Sequence, residues 1–175
     1  MTMSDRLAVM RHGRIEQIGA PQDVYERPST EFVAGFLGAS NLLEGEVQAS
    51  GNGSTSVRLK DGSAVTVPTA LASAASGSKV LLGIRPEKIR LEPEGTESRD
   101  GTNSVTGTLR ISTYVGVSHQ YTVDGPDGRT LTVYEQNVAG GSTVVPGERV
   151  RLVWQPEHTF VVEPSEPLAD WEEET

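Results

Sequence analysis

The chain has 175 residues, no cysteine and a formal net charge of −9. The missing cysteines exclude a disulfide framework and a thiolate metal centre, and the negative balance disfavours nucleic acid, whose phosphates it repels at long range. No run approaches the roughly 18 apolar residues of a membrane-crossing helix, and the first ten residues, which include Asp5 and Arg6, show no signal-peptide pattern.

In chain order, Leu7–Met10 and Ile15–Ile18 flank Arg11-His12-Gly13-Arg14 and predict a β-hairpin, with Gly13 free to take positive φ. A helix is expected to start at Pro21, whose fixed φ suits the first helical position. Asp23 sits favourably in its first turn, and Pro28 stops it. A second helix is expected from an N-cap at Ser29 or Thr30 to Gly38, with Phe32, Val33, Phe36 and Leu37 as its apolar stripe.

From Asn41 onward short Val/Thr/Leu runs alternate with Gly, Pro, Asp and Ser, the pattern of an all-β domain. Strands are predicted at Leu43–Val47, Thr55–Lys60, Ala64–Val67, Lys79–Ile84, Ser104–Val115, His119–Asp124, Thr130–Glu135, Arg149–Trp154 and Thr159–Val162. Asp61-Gly62 and Pro126-Asp127-Gly128 are hairpin turns. The segments Ser50–Ser54, Thr69–Ser78 and Glu94–Asn103 are loop-like, and Ala70–Ser76 fits either a loop or a short helix. The last residues, with Asp170, Glu172, Glu173, Glu174 and Trp171, form an acidic tail.

The pattern G-x-x-V-x-L-x-x-x-P-E occurs twice, as Gly77, Val80, Leu82, Pro86, Glu87 and as Gly147, Val150, Leu152, Pro156, Glu157. A Gly-turn hairpin lies upstream of each copy. Two similar β-units packed together follow from this, because a few short strands cannot bury a core alone. They are placed at about 43–92 and 104–163, with Val80 equivalent to Val150, Leu82 to Leu152, and Trp154 plugging the core of the second.

Candidate sites are few. His12, His119 and His158 lack metal-ligand spacing, and no nucleophile–base or carboxylate pair has a persuasive setting; catalytic, cofactor-binding and metal residues are therefore expected to be absent. Arg85 and Glu87 flank Pro86 where the chain leaves a strand. They make either a fold-closing ion pair or turn contact, or a contact with a partner subunit or regulatory ligand. The second copy has Gln155 in place of Arg85, so the unit itself does not require the charge. His119, in Val117-Ser118-His119-Gln120-Tyr121, stands at a strand edge where it can face a ligand.

Ser4–Met10 with Gly13-Arg14-Ile15, Gly19, Pro21, Tyr25 and Pro28, and then Phe32–Gly38 with Asn41, resemble the end of the nucleotide-binding domain of ABC-type importer ATPases. Gly83-Ile84-Arg85-Pro86-Glu87, Tyr114-Val115-Gly116 and Trp154-Gln155-Pro156-Glu157 resemble the transport-associated OB (TOBE) domain that follows it, nearest to spermidine/putrescine-type systems. The resemblance implies a mainly β, OB-like barrel or sandwich of two units at residues 40–165. It would be preceded at 1–39 by a hairpin and two helices from an α/β ATPase domain, and followed by the tail at 166–175.

The family's phosphate loop G-x-x-x-x-G-K-[ST], signature sequence, Walker B carboxylate and switch histidine have no counterparts in these residues, and Ala20 stands where the family has a Thr or Ser cap. The chain is accordingly expected to be the C-terminal piece of a longer subunit, non-enzymatic and cofactor-free itself, with ATP and Mg bound elsewhere in the parent. Implied partners are a second copy, membrane-spanning permease subunits and a small-molecule or protein regulator. The implied location is the cytoplasmic face of the membrane. Sugar, glycerol-phosphate and ferric-iron importers share much of this text, and a free-standing OB-like small-molecule-binding module is the alternative. With the catalytic part missing, residues 5–38 are expected to dock on a neighbouring copy or to be disordered.

Overall fold

A computed structural model describes residues 4–68, 75–97, 99–137 and 144–164. The N-terminal part is a hairpin, β1 (Leu7–Arg11) and β2 (Arg14–Gly19), followed by α1 (Pro21–Glu26) and α2 (Glu31–Leu37). Pro21 opens α1 above an Ala20 cap that has no side-chain hydrogen bond, whereas the Thr30 hydroxyl accepts from Val33 N at 3.3 Å and starts α2. His12 and Gly13 carry the turn of the hairpin at positive φ.

The rest is β: β3 (Asn41–Gly51), β4 (Ser54–Leu59), β5 (Ala64–Pro68), β6 (Lys79–Ile84), β7 (Arg90–Pro93), β8 (Asn103–Val115), β9 (Ser118–Asp124), β10 (Thr130–Gln136), β11 (Arg149–Trp154) and β12 (Thr159–Val162). One sheet has the order β5-β4-β3-β6-β12 and the other β10-β9-β8-β11-β7. The two orders match element for element, so the predicted repeat is structural. The final strand of each unit crosses over: β7 follows β6 in sequence but pairs with β11, while β12 follows β11 but pairs with β6. Each sheet is thus completed by the other unit.

Local detail repeats as well. Bulges interrupt β3 between Val47 and Ala49 and β8 between Leu109 and Ile111. Gly45 and Gly107 allow close strand contact, since a Cβ there would lie 2.5 Å from Val57 Cγ1 and from Val123 Cγ1 respectively. Asp61 accepts from Ser63 N, and Asp127 from Arg129 N, in the two β-turns. The inner faces share one core that includes Leu43, Leu82, Leu109, Leu152 and Trp154, with Val80 packed against it and Val150 inside it. Trp154 donates from Nε1 to Thr159 Oγ1 at 2.9 Å, which satisfies its only polar atom.

The outer faces differ, and this positions the N-terminal part. On the first sheet Leu42, Leu81, Phe160 and Val162 form an apolar surface that packs against Ala34 of α2. The equivalent positions of the second sheet are Ser104, Arg151, Arg90 and Glu92, and there Arg151 pairs with Glu92 at 3.0 Å and donates to Glu97 O. This face carries charge and an ion pair in place of the apolar side chains that seat α2 on the first sheet. Beside α2, Glu31 N donates to Glu163 O and Glu163 N to Ser29 O, so the chain entering α2 extends the first sheet past β12.

Within residues 5–38, α2 packs on the chain's own β-body through Ala34 and the hairpin packs on the two helices through Val9, contrary to the expected disorder. The contact face of α2 is also corrected. Val33 and Ala34 are fully buried, Val33 against Val9 and Val24, whereas Phe36 is 65 % exposed and stacks on Phe32 at 5.9 Å between ring centres. Residues 70–74 of the segment read as loop or helix, and the tail from 165 onward, lie outside the described residues.

Candidate functional site at the Arg85 junction

Strand β6 ends at Ile84, and Pro86 opens a short 3-10 turn over Pro86–Lys88. The extended residue between them, Arg85, projects onto the side where α2 lies. The residue is 2 % exposed. Nη1 donates to Ala34 O (2.9 Å), Ser40 Oγ (2.7 Å), Ala39 O (3.2 Å) and Gly38 O (3.3 Å), while Nη2 donates to Tyr25 O at 2.8 Å. The acceptors are the last carbonyls of both helices and the loop after α2, where the negative ends of the peptide dipoles offset the buried charge.

Two rings hold the guanidinium plane. The Tyr25 ring centre lies 4.1 Å from Arg85 Cζ and that of Phe160 lies 5.5 Å away. Burial pulls Arg85 below its ordinary pKa, with the Tyr25 and Glu87 oxygens acting in the opposite direction. Nε has no hydrogen-bond partner. Glu87 is exposed, and its Oε1 accepts from the Tyr25 hydroxyl at 2.8 Å. Burial, then this hydrogen bond and the Glu87 charge, raise the Tyr25 pKa.

From the sequence, Arg85 and Glu87 flank Pro86 as a turn contact or as a contact with a partner or ligand. The structure places Tyr25 between them, its ring on one and its hydroxyl on the other. With both Nη1 and Nη2 hydrogen-bonded within its own chain, Arg85 stands inside the fold. Tyr25, Ala34, Ser40 and Phe160 were not singled out from sequence as its neighbours. The one legible signal was the break in the repeat at Gln155.

His119 lies apart from this junction. On β9 it faces Tyr114 of β8 and Glu135 of β10, its ring 5.2 Å from Tyr114 and 5.9 Å from Tyr121. Glu135 is engaged, its Oε1 accepting from Leu91 N at 2.8 Å. Beyond His119 the β8–β9 hairpin exposes Ile111, Tyr114, Val115 and Val117. Among the described residues no group of His, Asp and Glu could hold a metal ion.

Two strand-exchanged units around one core, with a helix module riveted to one face, define an OB-type β-domain of the transport-associated class. Two family models bear this out, one for the TOBE domain matching residues 82–162 and one for the MalK OB fold domain matching residues 41–89. The β-body belongs to this TOBE/OB family, and the homologues of the chain are spermidine/putrescine import ATP-binding proteins.

The protein of that name from Thermobifida fusca is 39 % identical over 93 % of this chain, and that from Acidothermus cellulolyticus 38 % identical over 91 %. The chain spans 41 % of the length of each of these relatives. Among solved structures, the cytoplasmic molybdate-binding protein ModG shares the fold, with a TM-score of 0.59 at 18 % identity over 69 % of this chain and 94 % of that one.

Proposed function

We propose that this chain is the regulatory and dimer-forming segment of the ATP-binding subunit of an ABC-type importer for polyamines. The observation that carries the reading is the 39 % identity to a spermidine/putrescine import ATP-binding protein, which at 93 % coverage extends through both the hairpin–helix unit and the β-body. In this reading residues 1–39 close the nucleotide-binding domain, 40–165 form the regulatory domain and 166–175 an acidic tail. ATP and Mg are bound by other parts of the subunit, and this chain has no turnover of its own.

The partners proposed are a second copy, membrane-spanning permease subunits reached through the catalytic part, and a small-molecule or protein regulator. The location is the cytoplasm, against the inner face of the membrane. The exposed apolar tip of the β8–β9 hairpin supports pairing through the β-body, because contiguous exposed apolar surface marks interaction sites. Light scattering on the purified chain should show a dimer that Val117→Lys weakens, and calorimetry should show no heat with MgATP. A monomer at high protein concentration would remove the dimerising role, and micromolar nucleotide binding the division of labour.

A further inference from the structure

We infer that Arg85 is a conformational latch: its guanidinium makes the hairpin–helix unit and the β-body one rigid lever, and its release frees the unit without unfolding the β-body. Three observations combine. The contact between the two parts is small, since α2 buries Ala34 against Phe160 and Val162 while Phe36 stays exposed. Beside the two backbone hydrogen bonds to Glu163 and the Tyr25–Glu87 contact, a single side chain reaches Tyr25 O of α1, Ala34 O of α2 and Ser40 Oγ of the following loop at once. The β-fold does not need that side chain, because the same strand-to-turn junction in the second unit is built with Gln155, at φ −78 and ψ 140 against −71 and 138 for Arg85.

A buried fork that binds several carbonyls in a single geometry has two discrete states, engaged or withdrawn, rather than a graded one. Tyr25 adds a second point of control, since its hydroxyl is tied to the exposed Glu87, where solvent or a partner can compete for the carboxylate. Any length of protein attached to the hairpin therefore moves with the β-body while the latch is closed. In the importer reading proposed above, on which only this sentence depends, it would transmit motion between the nucleotide-binding and regulatory parts.

The test is amide hydrogen exchange on the 175-residue chain, which reports local opening separately from global unfolding. Arg85→Gln, which borrows the residue of the second unit, should speed exchange at Glu31, Ala34 and Glu163 at least tenfold and leave Leu109 and Val123 unchanged. Arg85→Lys, which keeps the charge but loses the fork, should give the same pattern to a lesser degree. Unchanged exchange at Glu31, Ala34 and Glu163 would overturn the latch. So would acceleration spread evenly over both sheets, which would make Arg85 a general stabiliser of the fold. Neither result bears on nucleotide binding or transport, so the latch and the importer reading fail separately.

Discussion

Asn41 and Thr132 exchange two hydrogen bonds, Asn41 Nδ2 to Thr132 O and Thr132 N to Asn41 Oδ1, both 2.7 Å long. Asn103 and Thr66 make the same pair from the other unit, at 2.7 and 2.8 Å. Each asparagine begins the first strand of its own unit and satisfies the free edge of the other unit's third strand. Asn41→Ala would leave an N–H and a carbonyl of β10 without partners, at a cost of about 2–4 kcal/mol. Asn103→Ala should cost a similar amount through β5. Urea denaturation of both variants checks this, and a loss under about 0.5 kcal/mol in either would mean that water replaces the amide.

Gly83 lies beneath Phe160, where a Cβ would fall 2.0 Å from Cε2 of the ring. Gly83→Ala should therefore lower stability by about 1–3 kcal/mol through overpacking. Phe160→Ala alone should cost about 3–5 kcal/mol. The double variant should lose less than the sum, because removing the ring removes the clash. Strict additivity in a double-mutant cycle would show that the two sites do not meet.

Ala34 and Phe36 invert the usual expectation for a helix stripe. Ala34 is fully buried at the sheet surface, and Phe36 is 65 % exposed. Ala34→Leu should destabilise by about 1–3 kcal/mol, whereas Phe36→Ser should stay within about 0.5 kcal/mol of the parent. Thermal melts of the two variants distinguish this from a helix seated on its aromatic side.

Asp127 caps its own turn and forms an ion pair with Arg129 at the surface. Burial raises the carboxyl pKa, but the hydrogen bonds and charge of Arg129 outweigh it, and the net direction is down. A depressed folded-state value means that the stabilisation is complete above the unfolded aspartate value of about 3.9 and is lost as pH falls through the folded one. Asp127→Asn should therefore be less stable than the parent at pH 7, by about 0.5–1 kcal/mol because solvent screens a surface pair, and the gap should close near pH 2. A gap independent of pH would show that the hydrogen bonds alone matter.

The sequence by itself determined the elements. Alternating Val, Leu and Thr, the Asp61-Gly62 and Asp127-Gly128 turns, Pro21 at a helix start and Thr30 at a cap act over a few residues, through dihedral preference and side-chain alternation. Strands β6, β11 and β12 fall where the pattern puts them. The period of the repeat was legible for the same reason. The four residues of β7 were not, because only Leu91 is buried and the pairing partner β11 lies some 60 positions further along.

Tertiary structure alone decided the exchange of β7 and β12 between sheets, the seat of α2 and the destination of Arg85. Each depends on how surfaces far apart in sequence fit. Leu42, Leu81, Phe160 and Val162 form an apolar face only once β3, β6 and β12 are side by side. Arg85 finds compensation for its buried charge only when that face has brought the ends of two helices to it. Short-range patterns fix what each segment can be, and long-range packing chooses among the partners it can have.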